Sequence, residues 1–177
     1  MPETFVGIAR NGPPESVPGL GSHVSNWLGA PHSQSRMQCF CSFFACSAKA
    51  GIEKSLLELI KLRASQINGC AFCVQHHILQ AEKLGVPTDK LNLVVVWREA
   101  PQFSARERAA LAWAEALTLL TSGVSDDVYE QAQAEFSDQE LTYLTSAVAS
   151  INVWNRFGVA YRWTPAARQT KVGAAAS

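Results

Sequence analysis

The chain of 177 residues lacks any uncharged apolar run that approaches the ~18 residues of a membrane-spanning helix. It also lacks the N-terminal basic region, apolar stretch and small-residue cleavage site of a secretory signal peptide. We therefore expect a protein with no membrane partner and a cytoplasmic location.

The sequence has no excess of charge of either sign. Its 15 lysine and arginine residues are matched by 15 aspartate and glutamate residues, so the formal net charge is zero. Because the two signs are interspersed, the chain offers no basic surface for the phosphates of a nucleic acid. It also lacks a glycine-rich phosphate-binding loop or nucleotide fingerprint. We expect neither a nucleic-acid partner nor a nicotinamide or flavin cofactor.

Cysteine is scarce, and the five residues present, at positions 39, 41, 46, 70 and 73, are an odd number. Secreted disulfide scaffolds are usually shorter and evenly paired. In a reducing compartment a Cys-x-x-Cys motif more often serves catalysis or metal binding, which directs attention to Cys70-Ala71-Phe72-Cys73. We expect Cys39, Cys41 and Cys46 to be ordinary buried thiols.

Residues 1–36 differ in composition from the rest of the chain. Prolines and glycines among serines interrupt any helical or strand period there, which predicts an extended or partly disordered N-terminal arm. Residues 166–177 have no apolar periodicity and are predicted to form a flexible tail. The segment 37–165 is predicted to be one domain by the usual ~150 residues per domain. The hydrophobic content of 47% is enough for a single core.

Apolar residues between these ends recur with helical spacing. We predict helices over 37–49, 53–68 and 70–84, each followed by a glycine. The second of these is apolar around most of its circumference, which is typical of a helix that packs on more than one side. The apolar run 91–97 fits a helix or a short strand, and we favour the helix.

Two capping boxes organise the second half of the chain. Ser104 with Glu107, and Ser137 with Glu140, each combine an acceptor hydroxyl at a helix start with a carboxylate three residues later. They predict helices over 104–121 and 137–163, and a shorter helix over 125–136 lies between them. Because no segment of useful length alternates apolar and polar residues, we predict an all-α helical bundle.

The cysteine motif lies at the predicted start of helix 70–84. At 100° per residue, Cys70, Cys73 and His77 share one helix face, whereas His76 points away from Cys70. The unpaired amides and the positive end of a helix N-terminus stabilise a thiolate. The motif is therefore predicted to be a redox-active dithiol. The helix dipole alone favours Cys70 as the more acidic thiol.

Glu58 lies in the middle of the second predicted helix, where an unpaired carboxylate is costly. We expect burial to raise the pKa of Glu58 and to make it the partner of His77 in a proton relay that serves Cys73. The alternative is that Glu58 faces solvent or forms an ion pair with Lys61 or Arg63. The sequence leaves both open.

A zinc site is the competing interpretation of the same residues. Two thiolates and an imidazole on one face, with Glu58 or another cysteine as fourth ligand, would suit the ion. Structural zinc usually takes its second ligand pair from another tight turn, and the chain has no second Cys-x-x-Cys. Cys39 and Cys41 would face opposite ways on a helix and could not complete a site. We predict no metal.

The segment 58–77, ELIKLRASQINGCAFCVQHH, resembles the signature of the AhpD-like alkylhydroperoxidases within the carboxymuconolactone decarboxylase family. Three further segments, 97–99, 107–118 and 151–156, resemble one subgroup of that family. The resemblance covers roughly 37–165 of the chain. Phe72 departs from the well-studied members, which carry a histidine between the two cysteines.

The resemblance implies an all-helical, AhpD-like subunit that assembles into a homo-trimer or homo-hexamer. It also implies a peroxidase cycle in which Cys73 attacks a hydroperoxide and becomes a sulfenic acid, and Cys70 then resolves it as a disulfide. An external dithiol donor, such as a lipoyl-bearing protein, would restore the pair. The family's proton relay maps onto Glu58 and His77.

Three functions remain open from the sequence. The one that we favour is a thiol-dependent peroxidase, a peroxiredoxin-like oxidoreductase of the AhpD type. The second is a lyase or isomerase of the decarboxylase branch, in which Glu58 and His77 move protons on a carbon acid; that branch lacks the cysteine pair. The third is a helical oligomer that senses redox state without enzymatic turnover.

Overall fold

The computed structural model of the chain describes residues 51–121 and 123–165. The predicted arm, the predicted helix 37–49 and the predicted tail lie outside the described residues, as do Cys39, Cys41 and Cys46. Within the described ranges the chain forms α-helices and a 3₁₀ turn, with no strand. The predicted all-α class is therefore confirmed for this part of the chain. None of its helices combines the length and the apolar character needed to cross a bilayer.

The helices follow one another with short connections. In chain order they are α1 (Lys54–Ile67), α2 (Ala71–Lys83), α3 (Thr88–Leu93), α4 (Ala105–Leu119), α5 (Asp126–Glu135) and α6 (Asp138–Ala160). A 3₁₀ turn, Val94–Val96, directly follows α3. The predicted apolar run 91–97 is thus helical, and its buried residues Leu91, Val94 and Trp97 recur every three positions.

Helix α1 is the centre of the described bundle. It packs against α2, α4 and α6, and its buried residues lie on several sides of the helix: Leu56, Glu58, Leu59, Ile60, Leu62, Ala64 and Ser65. Burial of each large apolar side chain contributes roughly 1.5–3 kcal/mol to folding. The prediction that this helix packs on more than one side is confirmed.

Gly69 connects α1 to α2 through a Schellman turn. Its φ of 67° is in the left-handed region, which glycine adopts without the steric cost of a β-carbon. The amide of Cys70 donates to the carbonyl of Ser65 at 3.1 Å, and the amide of Gly69 donates to Gln66 at 3.2 Å. The turn makes Cys70 the N-cap residue of α2. A local sequence signal, Asn68-Gly69, thereby sets the position of the first cysteine.

Both predicted capping boxes are present, at Ser104 before α4 and at Ser137 before α6. The predicted ends of these two helices are wrong by two or three residues. Helix α4 ends at Leu119 because Leu120 takes a left-handed φ of 45°. Helix α6 ends at Ala160 because the chain turns at Arg162, whose φ is 52°.

The turn at Arg162 has the same hydrogen bonds as the turn at Gly69. The amide of Arg162 donates to Val159 at 3.2 Å, and the amide of Trp163 donates to Gly158 at 2.9 Å. Trp163 therefore lies just beyond α6 and packs back beside Trp154 and Ile151 of that helix. A continuous helix to position 163 would have directed this indole elsewhere.

A buried carboxylate ties three elements together. Glu115 of α4 accepts from the indole Nε1 of Trp97 at 3.0 Å and from Nε of Arg63 at 2.6 Å, and it pairs with Nη1 of Arg98 at 2.5 Å. Burial raises the pKa of Glu115, but these hydrogen bonds and charges outweigh it and lower the pKa. This fully partnered acid holds α1 and the 3₁₀ turn against α4.

Candidate redox site

The cysteine pair lies at the N-terminus of α2, with the two Cα atoms 5.3 Å apart and the sulfurs joined. Sγ of Cys70 accepts a hydrogen bond from the amide of Cys73 at 3.3 Å, so the first cysteine caps the helix with its own side chain. Both residues are buried, with 2% of Cys70 and 4% of Cys73 exposed. A thiolate at Cys70 would receive the same amide and the positive end of the helix.

Helix α2 turns a single face to the core, and its buried residues Cys73, His77 and Ala81 are spaced by four. Residues four apart are neighbours on a helix surface. The prediction that His77 shares a face with Cys73 is therefore confirmed. Cys70 reaches the same place from the N-cap position rather than from within the helix.

Glu58 of α1 meets His77 of α2 in the core. Oε2 of Glu58 lies 2.7 Å from Nδ1 of His77, and Oε1 accepts from Nζ of Lys61 at 2.9 Å. The exposed fraction is 7% for Glu58 and 2% for His77. The sequence left open whether Glu58 is the partner of His77 or forms an ion pair. The structure shows both, because one carboxylate oxygen meets His77 and the other pairs with Lys61.

The expected rise in the pKa of Glu58 is wrong. Burial does raise the pKa of this carboxyl, but the hydrogen bond from His77, the charge of Lys61 and its hydrogen bond outweigh burial and bring the pKa down to about 2. The sequence indicated the desolvation of the Glu58 carboxyl but did not decide which residues are its hydrogen-bond partners. Glu58 is thus ionised at neutral pH, and it accepts hydrogen bonds rather than supplying a proton.

His77 is held neutral by the same surroundings. Burial lowers the pKa of His77, and the hydrogen bond and negative charge of Glu58, which raise it, do not offset the burial. Because an ionised carboxylate only accepts, the Nδ1 atom of His77 carries the ring proton in this assignment. The Nε2 atom then has a lone pair available to act as a base.

His76 packs beside the motif. Its ring stacks with Phe72 at a centroid distance of 6.3 Å and meets the ring of His77 edge-on at 5.0 Å. Burial, and then the neighbouring His77, lower the pKa of His76 to about 4. The ring is half-buried, so His76 is a packing residue beside the motif.

A network of side-chain amides fixes the turn that carries Cys70, and sequence reasoning missed it. Nδ2 of Asn68 donates to Oδ1 of Asn152 at 2.8 Å and to Oδ1 of Asn155 at 3.0 Å, and Nδ2 of Asn155 donates to Oγ of Ser65 at 3.0 Å. These bonds attach the end of α1 to α6. The signal in the sequence was a pair of asparagines, Asn152 and Asn155, in a largely apolar part of α6. Buried side-chain amides need hydrogen-bond partners, so such a pair indicates a buried polar network.

Gly158 and Trp163 also contact the site and were not predicted. A β-carbon at Gly158 would lie 2.5 Å from Sγ of Cys70 and 3.3 Å from Sγ of Cys73. The ring of Trp163 meets Phe72 edge-on at 5.4 Å. Gly158 near the end of α6 therefore lies against the disulfide, and Trp163, three residues beyond that helix, packs on the cysteine motif through Phe72.

Comparisons with known proteins agree with this fold and motif. Residues 41–116 match the model of the carboxymuconolactone decarboxylase family. The chain is 34% identical to the uncharacterized protein YdfG of Bacillus subtilis over 142 residues, which covers 80% of this chain and 95% of that protein.

Solved structures extend the comparison. A protein of unknown function from Agrobacterium tumefaciens, described as a putative antioxidant defence protein AhpD, superposes with a TM-score of 0.71 and 38% identity over 78% of this chain and 93% of that one. The debrominase Bmp8 shares the fold at 21% identity, with a TM-score of 0.67 over 73% of this chain and 70% of its own. With the cysteine motif and the helical bundle, these findings show that the chain is an AhpD-like member of the carboxymuconolactone decarboxylase family.

Proposed function

We propose that this protein is a thiol-dependent peroxidase that reduces hydroperoxides through a reversible Cys70–Cys73 disulfide. The observation that carries the proposal is the N-terminal cysteine pair on α2 with the hydrogen-bonded Glu58–His77 pair on the same buried face. The peroxidase-related role is also supported by the similarity to the putative antioxidant defence protein of Agrobacterium tumefaciens.

The oxidative half of the cycle begins with the thiolate of Cys73. It attacks the terminal oxygen of the hydroperoxide, the O–O bond breaks, and an alcohol leaves with one proton while Cys73 becomes a sulfenic acid. The thiol of Cys70 then attacks the sulfur of the sulfenic acid, and water leaves as the disulfide forms. The N-cap position of Cys70, which stabilises its thiolate, suits this resolving step.

The reductive half needs two electrons from outside the chain. We propose that an external dithiol, such as a lipoyl group on a partner protein, attacks the disulfide and is itself oxidised to a disulfide. The homo-trimer or homo-hexamer implied by the family resemblance belongs to the same proposal.

The roles of the two buried groups follow from their ionisation. Neutral His77 takes the proton of the Cys73 thiol at Nε2 and returns a proton to the leaving alcohol. Ionised Glu58 fixes the orientation of the imidazole through Nδ1 and stabilises the imidazolium that forms during the transfer. Since Phe72 cannot exchange protons, His77 does this work for both steps.

The decarboxylase-type alternative receives less support from the same geometry. A carboxylate whose pKa is about 2 and whose oxygens are both engaged is a weak base for removing a proton from carbon. The redox-sensing alternative requires the same disulfide but no turnover. Sustained consumption of peroxide would therefore distinguish an enzyme from a redox sensor.

The test is stopped-flow oxidation of the reduced protein by hydrogen peroxide and by an alkyl hydroperoxide, followed by turnover with a dithiol. We compare wild type with Cys73→Ser and Cys70→Ser. The wild type should consume peroxide repeatedly, Cys73→Ser should be inactive, and Cys70→Ser should react once and stop. Full turnover by Cys73→Ser would overturn the proposal.

A further inference from the structure

Two groups lie next to the disulfide near the end of α6: the backbone of Gly158 and the indole of Trp163. A β-carbon on Gly158 would lie 2.5 Å from Sγ of Cys70, 3.3 Å from Sγ of Cys73 and 3.5 Å from Cε3 of Trp163. The backbone of α6, both sulfurs and the indole therefore meet beside position 158. Such a close approach requires a residue without a side chain.

Trp163 completes the cover from outside the helix. Its ring lies edge-on to Phe72 at 5.4 Å and tilted to Trp154 at 6.2 Å, so it bridges the cysteine motif and α6. The indole is itself half-buried. Cys70 and Cys73 beside it expose only 2% and 4% of their surface.

The groups of this cover differ in how easily they can move. Gly158 lies within α6, so its displacement would break helix hydrogen bonds. Trp163 follows the helix end, and its backbone amide donates a hydrogen bond to the carbonyl of Gly158 at 2.9 Å. Trp163 can move away if it loses that hydrogen bond and its ring contacts. Every hydrogen bond inside α6 is then retained.

The turn that holds Trp163 is itself strained. The corresponding left-handed residues after α1 and α2 are Gly69 and Gly85, whereas the turn after α6 has Arg162 with φ of 52°. A left-handed conformation is unfavourable for a residue with a β-carbon. The covered arrangement is thus maintained by the ring contacts of Trp163 against an unfavourable backbone.

An apolar groove lies next to this cover. It has a volume of about 570 Å³ and is lined by Gly69, Ala71, Val74, Gln75, Ile78 and Pro165. Gly69 and Ala71 are the chain neighbours of Cys70, and Pro165 belongs to the segment of Trp163. The groove therefore lies beside the cysteine motif and beside the segment that carries Trp163.

We propose that Trp163 determines access of the donor dithiol to the Cys70–Cys73 disulfide, and that its indole must move aside before the disulfide can be reduced. The inference rests on the proposed function, in which this disulfide forms in every cycle. Attack requires the donor sulfur to come within about 3.5 Å of a cysteine sulfur and in line with the S–S bond. In this proposal the indole blocks that approach while Trp163 stays in place.

The reaction that Trp163 admits is a thiol–disulfide exchange. One donor thiolate attacks a cysteine sulfur, the S–S bond breaks, and the other cysteine leaves as a thiolate. The second donor thiol then displaces the first cysteine from the mixed disulfide. The donor ends as its own disulfide, and Cys70 and Cys73 have gained two electrons and the two thiol protons.

The experiment measures reduction of the oxidised full-length protein by excess dithiothreitol. The disulfide is first formed with diamide, the oxidant is removed, and new thiols are counted by alkylation and mass spectrometry. Trp163→Ala should be reduced at least tenfold faster than wild type. Trp163→Phe, which keeps an aromatic cover, should lie between the two.

Two matched variants control for a general loosening of the end of α6. Val159→Ala removes an exposed apolar side chain from the same last turn, and Arg162→Gly keeps the turn while relieving its backbone. Val159→Ala should be reduced within twofold of the wild-type rate, and Arg162→Gly, which removes the backbone strain that opposes the cover, should be reduced no faster than wild type. Equal rates for Trp163→Ala and wild type, or equal acceleration by Val159→Ala, would overturn the inference.

The outcome is separable from that of the proposed function, because diamide rather than a peroxide forms the disulfide. A wild-type protein that consumes no hydroperoxide would contradict the peroxidase and leave the access measurement interpretable. Normal peroxide consumption together with an unaccelerated Trp163→Ala would contradict only the role of Trp163.

Discussion

At the scale of single residues, the site depends on a carboxylate that is kept ionised inside the core. The two oxygens of Glu58 are divided between His77 and Lys61, and the pKa of about 2 follows from those two partners. In the proposed mechanism Glu58 therefore acts on the cysteines through the histidine, as a positioning residue. We expect its loss to change the basicity and the orientation of His77.

We predict that Glu58→Gln slows oxidation of the reduced protein by an alkyl hydroperoxide about 10- to 100-fold, the usual cost of removing the partner that orients a functional histidine. His77→Gln should slow it further, by about 100-fold or more. Stopped-flow rates measured from pH 5.5 to 8.5 check both values. The pH profile of Glu58→Gln should also shift, because the neutral amide no longer supports an imidazolium.

The double variant Glu58→Gln with His77→Gln should be no slower than His77→Gln alone, since Glu58 acts through that residue. Glu99→Gln, which neutralises an exposed carboxyl group, is the matched control and should keep the wild-type rate. Additive losses in the double variant would refute the positioning role.

The residues of the site were predictable where the pattern is local. Cys73 and His77 share a helix that Cys70 caps, so their spacing alone places the three together. The ionisation of Glu58 was not predictable, because it depends on which partners α2 brings to it across the core. Gly158 and Trp163 were missed for the same reason: Gly158 lies against the sulfurs and Trp163 against Phe72, and these contacts join positions some ninety residues apart in the sequence.

At the scale of elements, the helix termini organise the molecule. The turn at Gly69 makes Cys70 a cap, and the turn at Arg162 directs Trp163 back against Phe72 and Trp154. Helix α6 carries the asparagine network, Gly158 and the attachment of Trp163, so the start of this helix should govern its stability without touching the chemistry. That start is the capping box of Ser137 and Glu140.

We predict that Ser137→Ala lowers the free energy of unfolding by about 1 kcal/mol, because the amide of Glu140 loses its acceptor. Urea denaturation monitored by circular dichroism measures the change. Ser146→Ala removes a hydroxyl from the middle of the same helix and should cost nothing, since alanine is the better helix former. The rate of thiol oxidation should be unaltered in both variants, and a Ser137→Ala protein as stable as wild type would contradict the expectation.

The elements themselves were largely predictable from the sequence. Glycines and capping boxes mark where helices start and stop, and the starts of α4 and α6 follow the two boxes. The ends of the same helices were placed too late, because Leu120 and Arg162 adopt left-handed conformations that sequence patterns assign to glycine. At Arg162, the ring contacts of the following Trp163 with Phe72 and Trp154 support this conformation.

At the scale of the whole molecule, acid should destabilise the fold through its buried histidines. In the unfolded chain His76 and His77 titrate near their ordinary pKa of about 6.5, whereas burial lowers the pKa of both in the fold, that of His76 to about 4. Between these values the unfolded state binds protons that the folded state does not. Stability therefore falls as the pH decreases through this range.

We predict that the free energy of unfolding drops by on the order of 1 kcal/mol or more between pH 7 and pH 5. Glu58 adds a loss of the same sign at lower pH, as the pH falls below the ordinary pKa of a carboxyl group toward its folded pKa of about 2. Urea unfolding at a series of pH values measures both. His76→Gln should flatten the upper part of the curve, and equal stability at pH 7 and pH 5 would contradict the assignment of neutral histidines.

The central claim concerns the order in which the two cysteines react. The direct measurement is mass spectrometry of Cys70→Ser and Cys73→Ser, each exposed to one equivalent of an alkyl hydroperoxide in the presence of dimedone, which labels sulfenic acids. We predict a dimedone adduct at Cys73 in the first variant and no adduct at Cys70 in the second. An adduct confined to Cys70 would contradict the mechanism.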